Sequence, residues 1–310
     1  MDLLDDILAT LDLKGVLYFR TDFSPPWAVT VPDHEQAARF HLLIRGGCHA
    51  RFPSGAAVDL SPGVLPLIPG GRSHVLADRA ESAAVAPPLE TVMEASGYDG
   101  EGVFAVGECD EHAATQMICG HFNFRPGADH PILRALPEYL LTTSVTRARE
   151  PWLDEMLRLV ARRMFSDGIG SRSTVTRLSE VVFVELLRVG IDGNDEIRSA
   201  LDAFRDEQIG RALELIHARP ADAWTVDGLA RAVGMSRSRF AERFSQLLGM
   251  GPMAYLSEWR LQKSLSLLGG SRASIAQVAL ETGYRSAAAF TRAFSGRFGQ
   301  PPKEYRRLQA

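Results

Sequence analysis

Residues 224–261 decide the fold, and they read WTVDGLARAVGMSRSRFAERFSQLLGMGPMAYLSEWRL. Apolar residues three and four apart, such as Phe240 and Phe244, predict two amphipathic helices. Gly234 lies between these helices and permits the positive φ of a tight turn. Ser236 is placed to accept a backbone N–H at the start of the second helix. The stretch therefore predicts a helix-turn-helix unit.

The pattern returns about fifty residues later, in residues 275–307, which read IAQVALETGYRSAAAFTRAFSGRFGQPPKEYRR. Seven positions of the first stretch match positions of the second at an offset of 49 or 50. In the first stretch they are Leu229, Ala230, Gly234, Phe240, Phe244, Gly249 and Pro252. In the same order, their counterparts are Val278, Ala279, Gly283, Phe290, Phe294, Gly299 and Pro302. A single unit fits a helical hairpin with a purely structural role equally well, because the pattern is short and many sequences match it. A connecting helix of roughly 15 residues, about 22 Å long, can hold two recognition helices about one DNA turn apart.

The charge of the chain is divided unevenly. Residues 211–310 carry 15 Lys and Arg against 7 Asp and Glu, a net charge of +8, while residues 1–210 carry 19 against 31, a net charge of −12. A basic domain on an acidic body favours a polyanionic partner at one end of the chain. Together with the repeat, this asymmetry predicts binding to double-stranded DNA.

The chain divides into two predicted domains. Short β-prone runs separated by Gly, Pro, Ser and Asp fill the first 125 residues and predict a small barrel or sandwich. Helical periodicity begins near residue 129, in HPILRALPEYLL, and continues through two further apolar stretches. We expect an N-terminal domain over 1–190, a linker over 191–207 and a helical domain over 208–310. The predicted fold class is therefore α+β and multidomain, with an N-terminal β-barrel followed by helices and a C-terminal all-α tandem helix-turn-helix.

Residues 208–310 resemble the DNA-binding domain of AraC/XylS-type transcription regulators, on the strength of the two quoted stretches. The resemblance implies that the exposed N-terminal half of each second helix faces bases. Arginine can donate hydrogen bonds to guanine or to phosphate, and glutamate can accept one from cytosine. The second unit is rich in alanine, so it offers more contact with phosphate and with the thymine methyl group than hydrogen bonds to bases. The implied DNA-binding residues are Arg237, Ser238, Arg239, Ala241, Glu242, Arg243, Arg285, Ala287, Ala288, Thr291 and Arg292. We expect Phe240, Phe244, Phe290, Phe294 and Trp259 to belong to the core.

The stretch SPGVLPLIPGGRSHVL, residues 61–76, resembles the second motif of cupin barrels, with Gly63, Pro69, Gly70 and His74 in its pattern. The resemblance to the cupin-type sensor domain of some AraC-family regulators covers roughly residues 5–190. The His-x-His pair of cupin metalloenzymes is missing, which argues against an enzyme.

Three candidate ligands remain in the predicted barrel. His41, His74 and Cys119 lie on three separate strand candidates that can converge. Two imidazoles and a thiolate are a plausible Zn²⁺ set, and polar barrel residues hydrogen-bonded to backbone or water are the alternative. No cofactor is required by the sequence, and Zn²⁺ is the candidate.

The sequence thus predicts a sequence-specific transcription regulator that responds through its cupin-like domain to a small-molecule, metal or redox signal. A cupin-fold metalloenzyme and a ligand-free DNA-binding dimer are the alternatives. Apolar stripes on two helices predict a homodimer, with one stripe packing on the barrel and the other free: Leu153, Met156, Leu157 and Val160; Leu178, Val181, Val182 and Leu186. Three cysteines without a disulfide pattern, an acidic start and no long apolar run predict a cytoplasmic protein with no membrane partner.

Overall fold

The structure is a computed structural model. It describes residues 3–34, 37–108, 114–134, 136–142, 148–164, 171–193, 202–270 and 272–309. The chain falls into two compact units. The barrel unit comprises Leu13–Asn123 and Leu136–Asn194, and the helical unit comprises Met1–Asp12, Phe124–Ala135 and Asp195–Ala310.

Two β-sheets form the centre of the barrel unit. Its strands are β1 (Lys14–Phe23), β2 (Ala28–Val31), β3 (Ala37–Arg45), β4 (Cys48–Arg51), β5 (Ala57–Leu60), β6 (Leu65–Ile68), β7 (His74–Ala77), β8 (Val103–Val106), β9 (Thr115–Asn123) and β10 (Leu140–Thr142). One sheet has the strand order β10-β6-β3-β9-β1-β8 and the other has the order β2-β7-β4-β5. Residues from both sheets share one apolar core, among them Val29 and Leu76 from one sheet and Leu43 and Met117 from the other.

Four helices of the barrel unit are described: α2 (Ala80–Ala83), α3 (Leu89–Ser96), α5 (Pro151–Met164) and α6 (Ser171–Gly193). Helix α6 covers the outer face of the larger sheet. There the Phe183 ring lies 4.8 Å from the Phe122 ring, and the Glu180 carboxylate accepts a 2.9 Å hydrogen bond from the Gly15 N–H. Both faces of this sheet are therefore buried, which explains why β3 carries an almost continuous buried run rather than an alternating one.

Ten helices belong to the helical unit: α1 (Leu3–Leu11), α4 (Pro131–Arg134), α7 (Asp202–Arg205), α8 (Glu207–Ala218), α9 (Val226–Ala232), α10 (Arg237–Leu248), α11 (Pro252–Gly270), α12 (Ile275–Glu281), α13 (Ala287–Phe298) and α14 (Pro302–Gln309), counted within the described residues. The pairs α9–α10 and α12–α13 are the two predicted helix-turn-helix units. Their turn glycines, Gly234 and Gly283, have φ of 70° and 79°. The positive φ inferred from the sequence is thus confirmed at both turns.

Aromatic side chains form the interior of both helix-turn-helix units. Phe240, Phe244, Phe290 and Phe294 are each 0% exposed, and Trp259 on the connecting helix is 2% exposed. All five core assignments are confirmed. The connecting helix α11 has 19 residues, about 28 Å at 1.5 Å per residue, and is longer than predicted.

Two expectations about the organisation of the chain differ from the structure. The helix expected over HPILRALPEYLL is wrong beyond its first turn: α4 ends at Arg134, and β10 pairs with β6 from Leu140 onward. The predicted linker 191–207 begins inside α6 and ends in α7 and α8, and its residues 194–201 lie outside the described ones. Periodicity over a few residues does not distinguish a helical turn from a short buried strand, because both can present the same apolar residues.

The predicted free stripe for a dimer is also largely absent. Helices α5 and α6 pack against each other, and Leu153, Leu157, Val182 and Leu186 are buried. Of the eight stripe residues, Val181, 47% exposed, is the one large apolar side chain that the described residues leave open to solvent. The two helices face each other, and α6 also faces the sheet, which a single stripe pattern cannot reveal.

Two segments pack with a different unit from the one predicted. Helix α1 and residues 124–134 fall within the predicted domain 1–190, yet they cluster with the C-terminal helices. Neither carries a local signal for the core that it joins, because amphipathicity specifies an apolar face but not its partner. None of the helices in the described residues is long and apolar enough to cross a membrane.

Candidate functional site

The second helix of each helix-turn-helix unit begins with a serine cap. The Ser236 hydroxyl accepts a 3.4 Å hydrogen bond from the Arg239 N–H, and the Ser286 hydroxyl accepts one of 3.1 Å from the Ala289 N–H. Both helices end at a glycine in the left-handed region, Gly249 and Gly299. The predicted caps are confirmed, and they define where the exposed N-terminal half of each helix begins.

Burial of the phenylalanines leaves the opposite face of α10 and α13 open to solvent. Eight of the predicted DNA-binding residues are exposed: Arg237, Ser238, Arg239, Glu242, Arg243, Arg285, Ala288 and Arg292. Three are half-buried: Ala241, Ala287 and Thr291. The structure therefore presents all eleven on the helical unit, and their contact with DNA stays a prediction.

Arg243 has a second task inside the helical unit. Its Nε donates a 2.6 Å hydrogen bond to Asp206, whose side chain also caps the start of α8. Burial would raise the pKa of Asp206, but hydrogen bonds from the Ile209 N–H and from Arg243 outweigh it and lower that pKa. The Arg243 guanidinium is thus engaged within the protein, in contrast to the exposed Arg292.

In the barrel unit, three strands bring the candidate ligands together. β3 and β9 pair with His41 directly opposite Cys119, and β7 begins at His74. The His41 Nδ1 lies 3.1 Å from the Cys119 Sγ, and the His41 Nε2 lies 2.8 Å from the His74 Nε2. All three side chains are at most 5% exposed. They form a row with His41 in the middle.

The backbone carbonyl at one end of this row assigns every proton in it. His74 Nδ1 lies 2.8 Å from the Arg72 carbonyl oxygen, which only accepts, so His74 donates from Nδ1 and accepts at Nε2. His41 must then donate from Nε2 to His74 and accept at Nδ1, and the Cys119 S–H donates to that nitrogen. The row is a set of three hydrogen bonds between neutral groups.

Burial keeps these groups neutral. Burial lowers the pKa of His74 to about 4, and burial with the nearby His74 and Arg39 lowers the pKa of His41 well below its usual range. Burial raises the pKa of the Cys119 thiol and raises that of the neighbouring Cys48 to about 12. Low-dielectric surroundings penalise the charged form of each group.

A zinc site does not fit this arrangement. His41 directs one ring nitrogen at Cys119 and the other at His74, so the three side chains face no common point for a tetrahedral ion. In the described part of the chain, no group of three or more His, Cys, Asp or Glu residues is arranged to hold a metal. The row instead uses its polar atoms to satisfy one another.

A cavity of about 200 Å³ lies beside the row within the barrel unit. Its wall is largely apolar and includes Phe23, Val29, Val31, Leu76, Phe104 and Met117. His41 and Cys119 form part of the same wall, together with Arg39 from β3. A concave apolar space with a few polar groups is the usual form of a small-molecule site.

Known protein families and relatives match both parts of the chain. A cupin family matches residues 2–192, and a helix-turn-helix domain family matches residues 229–308. The regulator AlkR of Acinetobacter baylyi is 29% identical over 308 residues, 99% of each chain. A putative AraC-like transcription regulator of Streptomyces antibioticus is 29% identical over 314 residues, also 99% of each chain. The chain belongs to the cupin family and is an AraC-type transcription regulator.

The regulator is also similar to a solved structure. An AraC-type DNA-binding regulator from Chromobacterium violaceum is 30% identical, with a TM-score of 0.33, over 35% of this chain and 96% of that one. The curated relatives of the regulator are named as transcription regulators and not as cupin enzymes.

Sequence reasoning missed two features of the regulator. Arg39 was not singled out, although a charged residue two positions before His41 shares its strand face. The residues 124–134 carry hydrogen bonds to α11, α13 and α14 that no motif announces. Asp129 accepts from Arg297 at 2.9 Å, and Pro126 accepts from the Tyr305 hydroxyl at 3.0 Å.

Proposed function

We propose that the regulator binds its operator DNA through α10 and α13 and receives a small-molecule signal in the cavity of the barrel unit. The observation that carries this proposal is the cavity itself, an apolar space of about 200 Å³ in the same chain as a tandem helix-turn-helix. A DNA-binding dimer with no ligand has no use for such a space, because a packed core is more stable without it.

A small molecule is favoured over the other two signals. A metal would need ligands that meet at one point, and the His41 row does not provide them. An oxidant reacts with thiolates, and burial raises the pKa values of both Cys48 and Cys119. Within the described residues, both signals would act on groups that the fold keeps neutral.

The DNA side of the proposal is tested with the full chain on operator and random duplexes. We expect binding that weakens steeply with salt, since Lys and Arg displace counterions from phosphate. The Arg292→Ala variant should lose roughly 1–3 kcal/mol of binding free energy on operator DNA and much less on random DNA, if Arg292 contacts a base. Arg211→Ala is the matched control, because Arg211 is exposed on α8 and pairs with Glu214.

Two outcomes would contradict this assignment. Equal losses for Arg292→Ala on both duplexes would make Arg292 a phosphate contact. Binding by the full chain that does not respond to salt would contradict DNA recognition by α10 and α13 altogether.

The proposal also includes a homodimer that acts in the cytoplasm, where the promoter DNA lies. Its structural support is the exposed Val181 on α6, one turn from the half-buried Leu178. Two copies would join two DNA-binding units and raise their effective concentration on adjacent sites. Sedimentation of the full chain at micromolar concentration, with and without DNA, measures the oligomeric state, and a monomer in both conditions contradicts the dimer.

A further inference from the structure

Arg39 is a buried cation in a largely apolar wall. It lies on β3 two residues before His41, so both side chains share the inner face of the larger sheet. Arg39 is 6% exposed, and the cavity reaches it. Arginine cannot lose its proton in a protein, so the fold keeps a full positive charge here.

Part of the guanidinium is buried without a hydrogen-bond partner. Its Nε has no hydrogen-bond acceptor among the described residues. Asp33 and Glu90 act on it only through space, and burial outweighs them and lowers the pKa of Arg39. Asp33 is exposed, and its carboxylate already accepts a 2.8 Å hydrogen bond from the Ser73 N–H. A buried, incompletely bonded cation indicates a site that an anion completes.

The remaining wall restricts the rest of the ligand. Arg39 is the one Lys or Arg among the described residues that line the cavity, and Glu90 adds a negative charge. A phosphate dianion would need more positive charge than this, whereas a carboxylate matches the planar fork of one guanidinium. The apolar wall, including Phe23 and Phe104, suits an apolar body. A cavity of about 200 Å³ holds about seven water molecules at 30 Å³ each, or roughly ten non-hydrogen atoms.

We propose that the cavity binds a small apolar monocarboxylate, whose carboxylate accepts hydrogen bonds from Arg39 and whose body packs against the apolar wall. The proposal rests on the proposed function in taking this cavity as the place where the signal is received. It adds the chemical class of the signal and the residue that selects it. A neutral compound of the same shape leaves the Arg39 Nε without an acceptor and binds more weakly.

Matched acids and alcohols test the class of ligand on the full-length protein. Phenylacetate is compared with 2-phenylethanol, and octanoate with octan-1-ol, by isothermal titration and by the shift in unfolding temperature. We expect at least one acid to bind about tenfold or more tightly than its alcohol, since a hydrogen bond to a charged group contributes about 1.5–3 kcal/mol. This comparison needs no variant. Equal affinities for acid and alcohol in both pairs would overturn the proposal.

Substitution of Arg39 identifies the selecting group. Arg39→Met removes the buried charge at similar length and should fold, because it also removes the cost of holding a charge in apolar surroundings. We expect this variant to lose the preference for acid over alcohol, and Arg39→Lys to keep part of it. A preference that survives in Arg39→Met places the carboxylate elsewhere and contradicts the assignment.

DNA affinity measured in the same samples separates this inference from the proposed function. Acid binding that depends on Arg39 but leaves operator affinity unchanged supports the ligand class and contradicts signal reception at the cavity. Operator affinity that responds to the alcohols as strongly as to the acids supports signal reception and contradicts the ligand class.

Discussion

At the scale of single residues, His41 is a tightly constrained side chain of the barrel unit. Both of its ring nitrogens are used, one by the Cys119 thiol and one by His74. A charge on His74 would be buried, and it would also place two N–H donors against each other in the 2.8 Å contact between the rings. A charge on His41 would be buried as well, and it would place an N–H donor at Nδ1 against the Cys119 S–H. The row is therefore stable only while both histidines are neutral.

This constraint predicts that the barrel unit loses stability in mild acid. The folded pKa of His74 is lowered to about 4 from an ordinary value of 6.5, so the unfolded chain binds a proton first as pH falls. The free energy of unfolding should decrease below pH 6.5, by up to about 3 kcal/mol at pH 4 for this group. Chemical unfolding of the full chain at several pH values measures the slope.

His74→Gln isolates the contribution of His74 from those of the other buried histidines. Glutamine does not titrate, so the variant should show a shallower decrease of stability between pH 6.5 and pH 4 than the native chain. Parallel pH profiles for the two proteins would contradict the assignment of a neutral His74 in the row.

At the scale of elements, the two DNA-reading helices depend on their serine caps. A helix of 12 residues such as α13 is short, so its stability comes from packing and from satisfied end groups rather than from propensity. Helix α13 begins with three alanines, and the Ser286 hydroxyl is the side-chain acceptor recorded at its start.

We expect Ser286→Ala to lower the stability of the helical unit by about 1 kcal/mol. Operator affinity should fall with it, because fraying at the start of α13 displaces the residues that reach the DNA. Ser286→Thr keeps a capping oxygen and serves as the control. Thermal unfolding and operator binding of both variants check this, and an unchanged Ser286→Ala protein would show that packing alone fixes the helix.

At the scale of the whole molecule, the chain passes between the two units more than once. Strand β9, which carries Cys119, ends at Asn123, and the next residues belong to the helical unit. There Asp129 bonds Arg297 on α13 at 2.9 Å, and the Asp129 N–H donates to Gln262 on α11 at 3.0 Å. Chain continuity thus ties a cavity strand to a segment that holds the reading helix.

Asp129→Ala should weaken the response to ligand without weakening ligand binding. A partly exposed ion pair contributes up to about 1 kcal/mol, so the factor by which the ligand changes operator affinity should fall by roughly two- to fivefold. Glu214→Ala, which breaks an exposed pair with Arg211 on α8, is the control. Operator titrations with and without phenylacetate measure the factor, and an unchanged factor in Asp129→Ala would exclude this route of communication.

The sequence by itself determined the two helix-turn-helix units in detail. Its turn glycines, serine caps and phenylalanine cores are local signals, because each depends on residues within one or two helical turns of the position it specifies. Gly234, Ser236 and Phe240 could therefore be read directly. The strands of the first domain were visible for the same reason, as short β-prone runs between turn residues.

Only the tertiary structure decided how the cavity is built and what it can bind. The sequence placed His41, His74 and Cys119 on separate strands. Whether they surround an ion or form a row depends on ring orientations, which are set by the pairing of β3 with β9 and by the position of β7 in the other sheet. The burial of Arg39 and the packing of residues 124–134 depend on contacts between residues distant in sequence. Such contacts follow from the packing of complete elements, and no local pattern encodes them.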